Sequence, residues 1–276
     1  AYEITTRLVG SEMCIRDKVW RKGCMEEIKD YYFSPIDGRT AKLIAYAASF
    51  GIDKWAYSKK ETRFCTRKLK EFTAVSVRED SGVELCKRHL NHTAEHVLDP
   101  TMLLSPADYR KLIGEAGAEK YTNKITAFIL DRSEDKLAAL EKVSKVLAMD
   151  YNFAATETED RLAPLEKRIA PSVADWLKAM YYADFIFTDS FHGCVFSILF
   201  NKPFVLYVNR NRGVARFDSL LKLFKIENRT LSDSNGLESC RIRQSIDWKP
   251  INAKLEEMRS KSMRFLENAL TVKDEQ

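Results

Sequence analysis

Residues 184–208 read DFIFTDSFHGCVFSILFNKPFVLYV, and this stretch decides the fold. DFIFT (184–188) is a short apolar run, residues 191–200 carry apolar side chains at helical spacing, and PFVLYV (203–208) is a second apolar run. Runs that are apolar throughout fit strands buried on both faces, as in parallel sheets covered by helices. Strand, helix, strand is the unit from which such sheets are built.

The same alternation extends outward. Upstream lie a predicted helix over Pro171 to Tyr182, another over Ser133 to Met149, and the strand ITAFIL (125–130). Downstream, Ala215 to Phe224 is helical and Leu255 to Ala269 forms a long amphipathic closing helix. Nearer the start, KLIAYAASF (42–50) reads as a buried strand, followed by a helix over Ser58 to Phe72 whose Ser58 and Glu61 make a capping box. AVSV (74–77) is the next strand, Asp80 or Ser81 caps the helix to Leu90, and EHVL (95–98) is a strand closed by Asp99-Pro100. Pro100 and Pro106 bracket TMLLS, and Ser105 caps the helix opening at Pro106, so a boundary is placed there. The expected organisation is a partial N-terminal α/β domain over 18–104, a C-terminal α/β domain over 105–250, and a closing helix and tail over 251–276. Leu8 to Asp17, LVGSEMCIRD, has no amphipathic period and resembles a translated transposase sequencing adapter. Residues 1 to about 17 are therefore set aside as an artefact.

Composition narrows the function. The 276 residues are 45% hydrophobic, and the net charge of +5 arises from 45 basic and 40 acidic residues with no basic block. Nucleic-acid binding gains no support from this distribution, whereas an anionic small substrate or a membrane-surface glycolipid fits it. The six cysteines, Cys14, Cys24, Cys65, Cys86, Cys194 and Cys240, form no C-x-x-C pair. A zinc site or a disulfide framework is not expected, and reduced thiols fit the cytosol. No apolar run reaches the length that spans a bilayer, so association with the inner face of a membrane would be peripheral.

The turn after strand 184–188 carries the chemistry. Thr188, Asp189 and Ser190 are short polar residues, Gly193 lies in the first helical turn, and His192 adds an imidazole suited to acid or base work. Backbone N–H groups at a helix start attract anions, and a glycine permits close approach. From this segment alone two readings stay open: an anion-and-proton site, or a cap at Asp189 or Ser190 with a packed His192. His89, His92 and His96 span a helix end, a turn and a strand, and read as structural. Lys202, before Pro203, reads as a surface residue.

TDSFHGCVFSILFNKPFVLYVN (188–209) resembles the signature segment of the polysaccharide pyruvyl transferase family. DKVWR (17–21), YAASFG (46–51), SVREDSG (76–82), LDPTMLL (98–104) and RGVARFDSLLKLF (212–224) resemble further family segments, in the family's order. The resemblance implies two Rossmann-like domains in a GT-B-like arrangement, the N-terminal one lacking the family's first strand. It implies transfer of a carboxyethylidene (pyruvyl) group from phosphoenolpyruvate, a co-substrate needing no cofactor or metal, to hydroxyls of a sugar or lipid-linked glycan. His192 matches the signature histidine and is assigned proton transfer. Arg78 matches the V-R-E segment and is assigned to an anion, its alternative being an ion pair with Glu79 or Asp80. Asp189, Ser190 and Gly193 complete the expected substrate site. In the family the residue two before the histidine is typically Arg; here it is Ser190. Arg210, Arg212 and Arg216 are assigned the missing charge, against the alternative of a solvated basic loop. Two other functions are carried forward: a GT-B glycosyltransferase using a nucleotide sugar, and a catalytically silent glycan-binding member.

Overall fold

A computed structural model of the chain describes residues 19–23, 28, 32, 43–155, 164–208 and 214–271, the side chains of 166, 167, 238 and 239 apart. The expected artefact at 1–17 lies outside the described residues. The chain divides into two compact units. The first comprises residues 1–103, 212–223 and 255–276, and the second 104–211 and 224–254.

In the first unit β1 (Leu43–Ala48), β2 (Phe72–Val77) and β3 (Glu95–His96) form a parallel sheet in that order. Between them run α1 (Lys59–Leu69) and α2 (Asp80–Leu90). The capping box at Ser58 and Glu61 forms as expected, each side chain accepting from the other residue's N–H. The cap of α2 differs from expectation. Glu79, not Asp80 or Ser81, occupies the N-cap, and its side chain turns away from the helix. β2 begins two residues earlier than AVSV, and the strand expected over 95–98 is only two residues long.

A bulge interrupts β1. Ala47 has φ +52°, and the register shifts between Ala45 and Ala48. The buried Ser76 hydroxyl accepts from Ala47 N (3.0 Å) and donates to Ala45 O (3.0 Å), replacing bonds the ladder loses. An aromatic cluster closes this core, with Trp20 stacked on Tyr32 at 5.1 Å and tilted against Phe50.

The second unit holds a five-stranded, fully parallel sheet in the order β5-β4-β6-β7-β8. Its elements are α3 (Pro106–Arg110), β4 (Lys124–Phe128), α4 (Glu134–Leu147), β5 (Asp150–Phe153), α5 (Leu165–Arg168), α6 (Val173–Tyr182), β6 (Phe185–Thr188), α7 (Phe191–Leu199), β7 (Phe204–Tyr207) and β8 (Thr230–Leu231). Ser105, Ser133 and Ser172 accept from helical N–H groups at the starts of α3, α4 and α6. β6 and β7 are buried at every position, which is why they read as unbroken apolar runs. β5 was not foreseen: DYNF lies at the sheet edge, only partly covered, and has no strong period. Two helices, α8 (Ala215–Phe224) and α9 (Trp248–Thr271), complete the described chain, α9 beginning seven residues before the expected Leu255.

Candidate functional site

The chain goes from β4 outward to β5, then returns so that β6 pairs with the other side of β4. At such a reversal the loops after the two central strands part, leaving a crevice at their carboxyl ends where α/β sheets bind ligands. The loop after β4 brings Asp131 there, and the turn after β6 brings Asp189, Ser190 and His192.

Asp189 faces inward and is fully buried. Its Oδ1 accepts from Leu130 N (2.8 Å) and its Oδ2 from Lys136 Nζ (2.8 Å), so one carboxylate ties the two central loops together. Lys136, on the first turn of α4, also donates to the Asp131 carbonyl (2.8 Å) and pairs with the Asp131 carboxylate. Burial pushes the Asp189 carboxyl up to about 6, the nearby Asp131 adds to the rise, and Lys136 opposes it. Lys136 and Asp131 were missed in the sequence, where they looked like an ordinary charged helix start. The signal available was an acid and a lysine five residues apart directly after a buried strand.

Thr188 and Gly193 fix the turn's shape. Thr188 Oγ1 donates to Phe128 O (2.7 Å) and accepts from Ser190 N (3.0 Å). A Cβ at Gly193 would stand 2.2 Å from that oxygen and 2.8 Å from Thr188 Cβ, so the absent side chain lets α7 sit directly on β6. Ser190 is the N-cap of α7, yet its hydroxyl makes no bond to the helix. His192 is half-buried in the first turn, its ring edge-on to Phe191 at 5.7 Å.

A related arrangement stands at the carboxyl end of β2 in the first unit. Arg78 is buried and pairs with Asp99 at 2.5 Å. Glu79 is fully buried, and its Oε1 accepts from Phe50 N (2.7 Å) and Gly51 N (3.1 Å) in the loop after β1. Its Oε2 is buried without a hydrogen bond among the described residues. Burial raises the Glu79 carboxyl above its ordinary range, while Arg78 and Arg216 pull it down. Arg216, on α8, is buried; its helix neighbour Ser219 accepts from Asp80 N at 3.0 Å. Arg210 and Arg212 lie outside the described residues. In the sequence Glu79 stands only as a partner for Arg78, because nothing in V-R-E-D tells which acid turns inward.

The remaining histidines have separate surroundings: His89 stacks on Trp55 at 4.6 Å, and His96 Nε2 lies 3.3 Å from Arg78 O. Cys65, Cys86, Cys194 and Cys240 are free and buried, which pushes their thiols up, Cys65 and Cys86 to about 12. Among the described residues no three His, Cys, Asp or Glu side chains gather as a metal site, and no helix is long and apolar enough to cross a membrane.

Residues 8–211 match the family model described as polysaccharide pyruvyl transferase. No curated protein matches the sequence. Among solved structures, the glycotransferase of kitacinnamycin is similar at 16% identity, over 76% of this chain and 62% of that one, with a TM-score of 0.41. The wall teichoic acid polymerase TagF, in a variant soaked with CDPG, is similar at 13% identity, over 80% of this chain and 58% of that one, with a TM-score of 0.36. This chain thus spans about three fifths of the length of these structures.

Proposed function

The chain belongs to the polysaccharide pyruvyl transferase family, and from that premise we propose that it moves a pyruvyl group from phosphoenolpyruvate to two hydroxyls of a sugar in a cell-surface polysaccharide precursor. The observation that carries this reading is His192, half-exposed on the first turn of α7 beside the crevice between β4 and β6. In the reaction both sugar oxygens bond to the central carbon of phosphoenolpyruvate. The enol methylene takes one proton to become a methyl group, and phosphate leaves with the other. An imidazole can serve both transfers, taking a proton from the hydroxyl and giving one to carbon. The start of α7 favours the anionic donor through its helix dipole, and Ser190 places a hydroxyl there. Within the first unit, Arg78, oriented by Asp99, and Arg216 keep the anion-binding role assigned to them from the sequence.

The test is phosphate release from phosphoenolpyruvate with a panel of sugar acceptors, wild type beside His192→Ala and Arg216→Ala. Wild type is expected to release phosphate only with an acceptor present, and His192→Ala to lose at least about a hundredfold in rate. No release with any acceptor, together with no thermal stabilisation by phosphoenolpyruvate, discards the donor. Stabilisation by a nucleotide sugar instead assigns a glycosyltransferase.

A further inference from the structure

A cavity of about 320 Å³ lies wholly in the second unit, lined by Pro106, Thr122, Tyr181, Tyr182, Leu199, Phe200, Asn201 and Lys202. Apart from Pro106, which opens α3, these residues end α6 and α7 or precede β4 and β7, so the cavity opens at the amino ends of the strands. His192 and Asp189 follow β6 at its other end, about 13 Å away along four residues of strand. This is a different place from the crevice.

Its wall combines two chemistries. Tyr181, Tyr182 and Phe200 present ring faces and edges, Tyr181 lying 5.1 Å from each of the other two. Lys202 Nζ stands 5.8 Å from the centre of the Tyr181 ring, and the Arg110 guanidinium 5.9 Å from it. Lys202 is half-buried, and among the described residues its ammonium makes no ion pair or hydrogen bond. Nearby Asp184 is committed to Asn123 N. Partial burial pulls the Lys202 ammonium below its ordinary range, and the charge of nearby Asp184 opposes this only in part. Asn201 and Thr122 add polar groups beside the rings.

We propose that this cavity binds one sugar ring bearing a single carboxylate, as in an acidic glycan, with Lys202 on the carboxylate and Tyr181 against the ring's C–H face. The size is at the lower end of small-molecule sites, roughly 300–1,000 Å³, and holds one ring rather than a chain. A sugar has the matching division, an apolar face rimmed by hydroxyls that can meet Asn201 and the Thr122 hydroxyl, which itself donates to Ala118 O (3.2 Å). α6 and α7 end at this cavity, and their negative poles disfavour a dianionic phosphate more than a carboxylate, whose single charge Lys202 balances.

The test is isothermal titration, with saturation-transfer NMR, of the full chain against D-glucuronate, D-glucose, glucose 6-phosphate and acetate. Glucuronate is expected to bind about tenfold or more tighter than glucose, glucose 6-phosphate more weakly than glucuronate, and acetate not at all. Lys202→Met and Tyr181→Ala lose glucuronate binding with an unchanged circular dichroism spectrum, Lys202→Arg retains it, and His192→Ala binds as wild type does. Glucose equal to glucuronate, acetate competing with it, or glucose 6-phosphate binding more tightly overturns the assignment. So does undiminished binding by Lys202→Met, or loss of binding in His192→Ala. The readout is binding alone, so failure here and failure of the phosphoenolpyruvate reading are told apart.

Discussion

The turn after β2 in the first unit and the turn after β6 in the second solve one problem with different parts. In each, a helix begins three residues after the strand ends, a glycine stands five residues after that end (Gly82 after Val77, Gly193 after Thr188), and a buried acid reaches across to N–H groups beyond the neighbouring strand. The closeness of the helix and the charge on the acid differ. At Gly193 the strand side chain is 2.2 Å from where a Cβ would be; at Gly82 it is 3.2 Å. Asp189 has a buried lysine in direct contact, whereas Glu79 stands near two arginines, one of them held by Asp99. Such a turn thus tolerates several charge arrangements, provided the carboxylate accepts from the adjacent loop and the glycine gives the helix room.

Filling the two glycines separates the turns most widely. Gly193→Ala is expected to cost about 3 kcal/mol or more, since Thr188 is buried and bonded on both sides and cannot yield. Gly82→Ala is expected to stay within about 1 kcal/mol, a small shift of Val77 being offset by better helix propensity. Urea denaturation of the two variants measures the gap; equal losses would mean the turns are packed alike.

Next in size is Lys136→Met. Removing a buried cation from Asp189 is expected to cost about 3 kcal/mol at pH 8 and clearly less at pH 5, where the carboxyl takes a proton and no charge is stranded. The sign in the wild type follows from the same group. With its folded value raised to about 6, Asp189 holds its proton more tightly when folded than unfolded. Its contribution to stability therefore falls as pH rises from about 4 to 6, and Asp189→Asn should remove that slope. A deficit in Lys136→Met independent of pH would show that packing, not charge, is what Lys136 supplies.

Glu79 sharpens the other half. Glu79→Ala strands two buried N–H groups and opens a cavity, for about 2–3 kcal/mol. Glu79→Gln keeps an acceptor for Phe50 and Gly51, and should stay within about 1 kcal/mol at pH 7. Thermal melts of the pair decide whether the acceptor or the charge matters. The smallest effect belongs to Ser76→Ala, about 1 kcal/mol, for the hydroxyl that completes the β1 bulge.

The strands most legible in the sequence were those buried throughout. FIFT and FVLY are unbroken because both faces are covered, and the serine caps at 58 and 105 announced their helices through a local bond to a nearby N–H. β5 was invisible because an edge strand with partly covered side chains needs no strong pattern. The cap of α2 was misplaced because Asp80 and Ser81 are the stronger cap residues by type, whereas Glu79 stands there held by the loop after β1, 29 residues away.

By itself, then, the sequence determined an alternating parallel α/β chain and drew attention to the turn at 188–193, since buried runs, caps and a family's ordered segments are local or written in residue identity. Only the tertiary structure decided that Asp189 looks inward to Lys136 and Leu130, that Gly193 makes room for Thr188, and that residues 212–223 and 255–276 are counted with the first unit. Each of these depends on which strands become neighbours, and strand order is set by long-range packing that leaves no mark on any one segment.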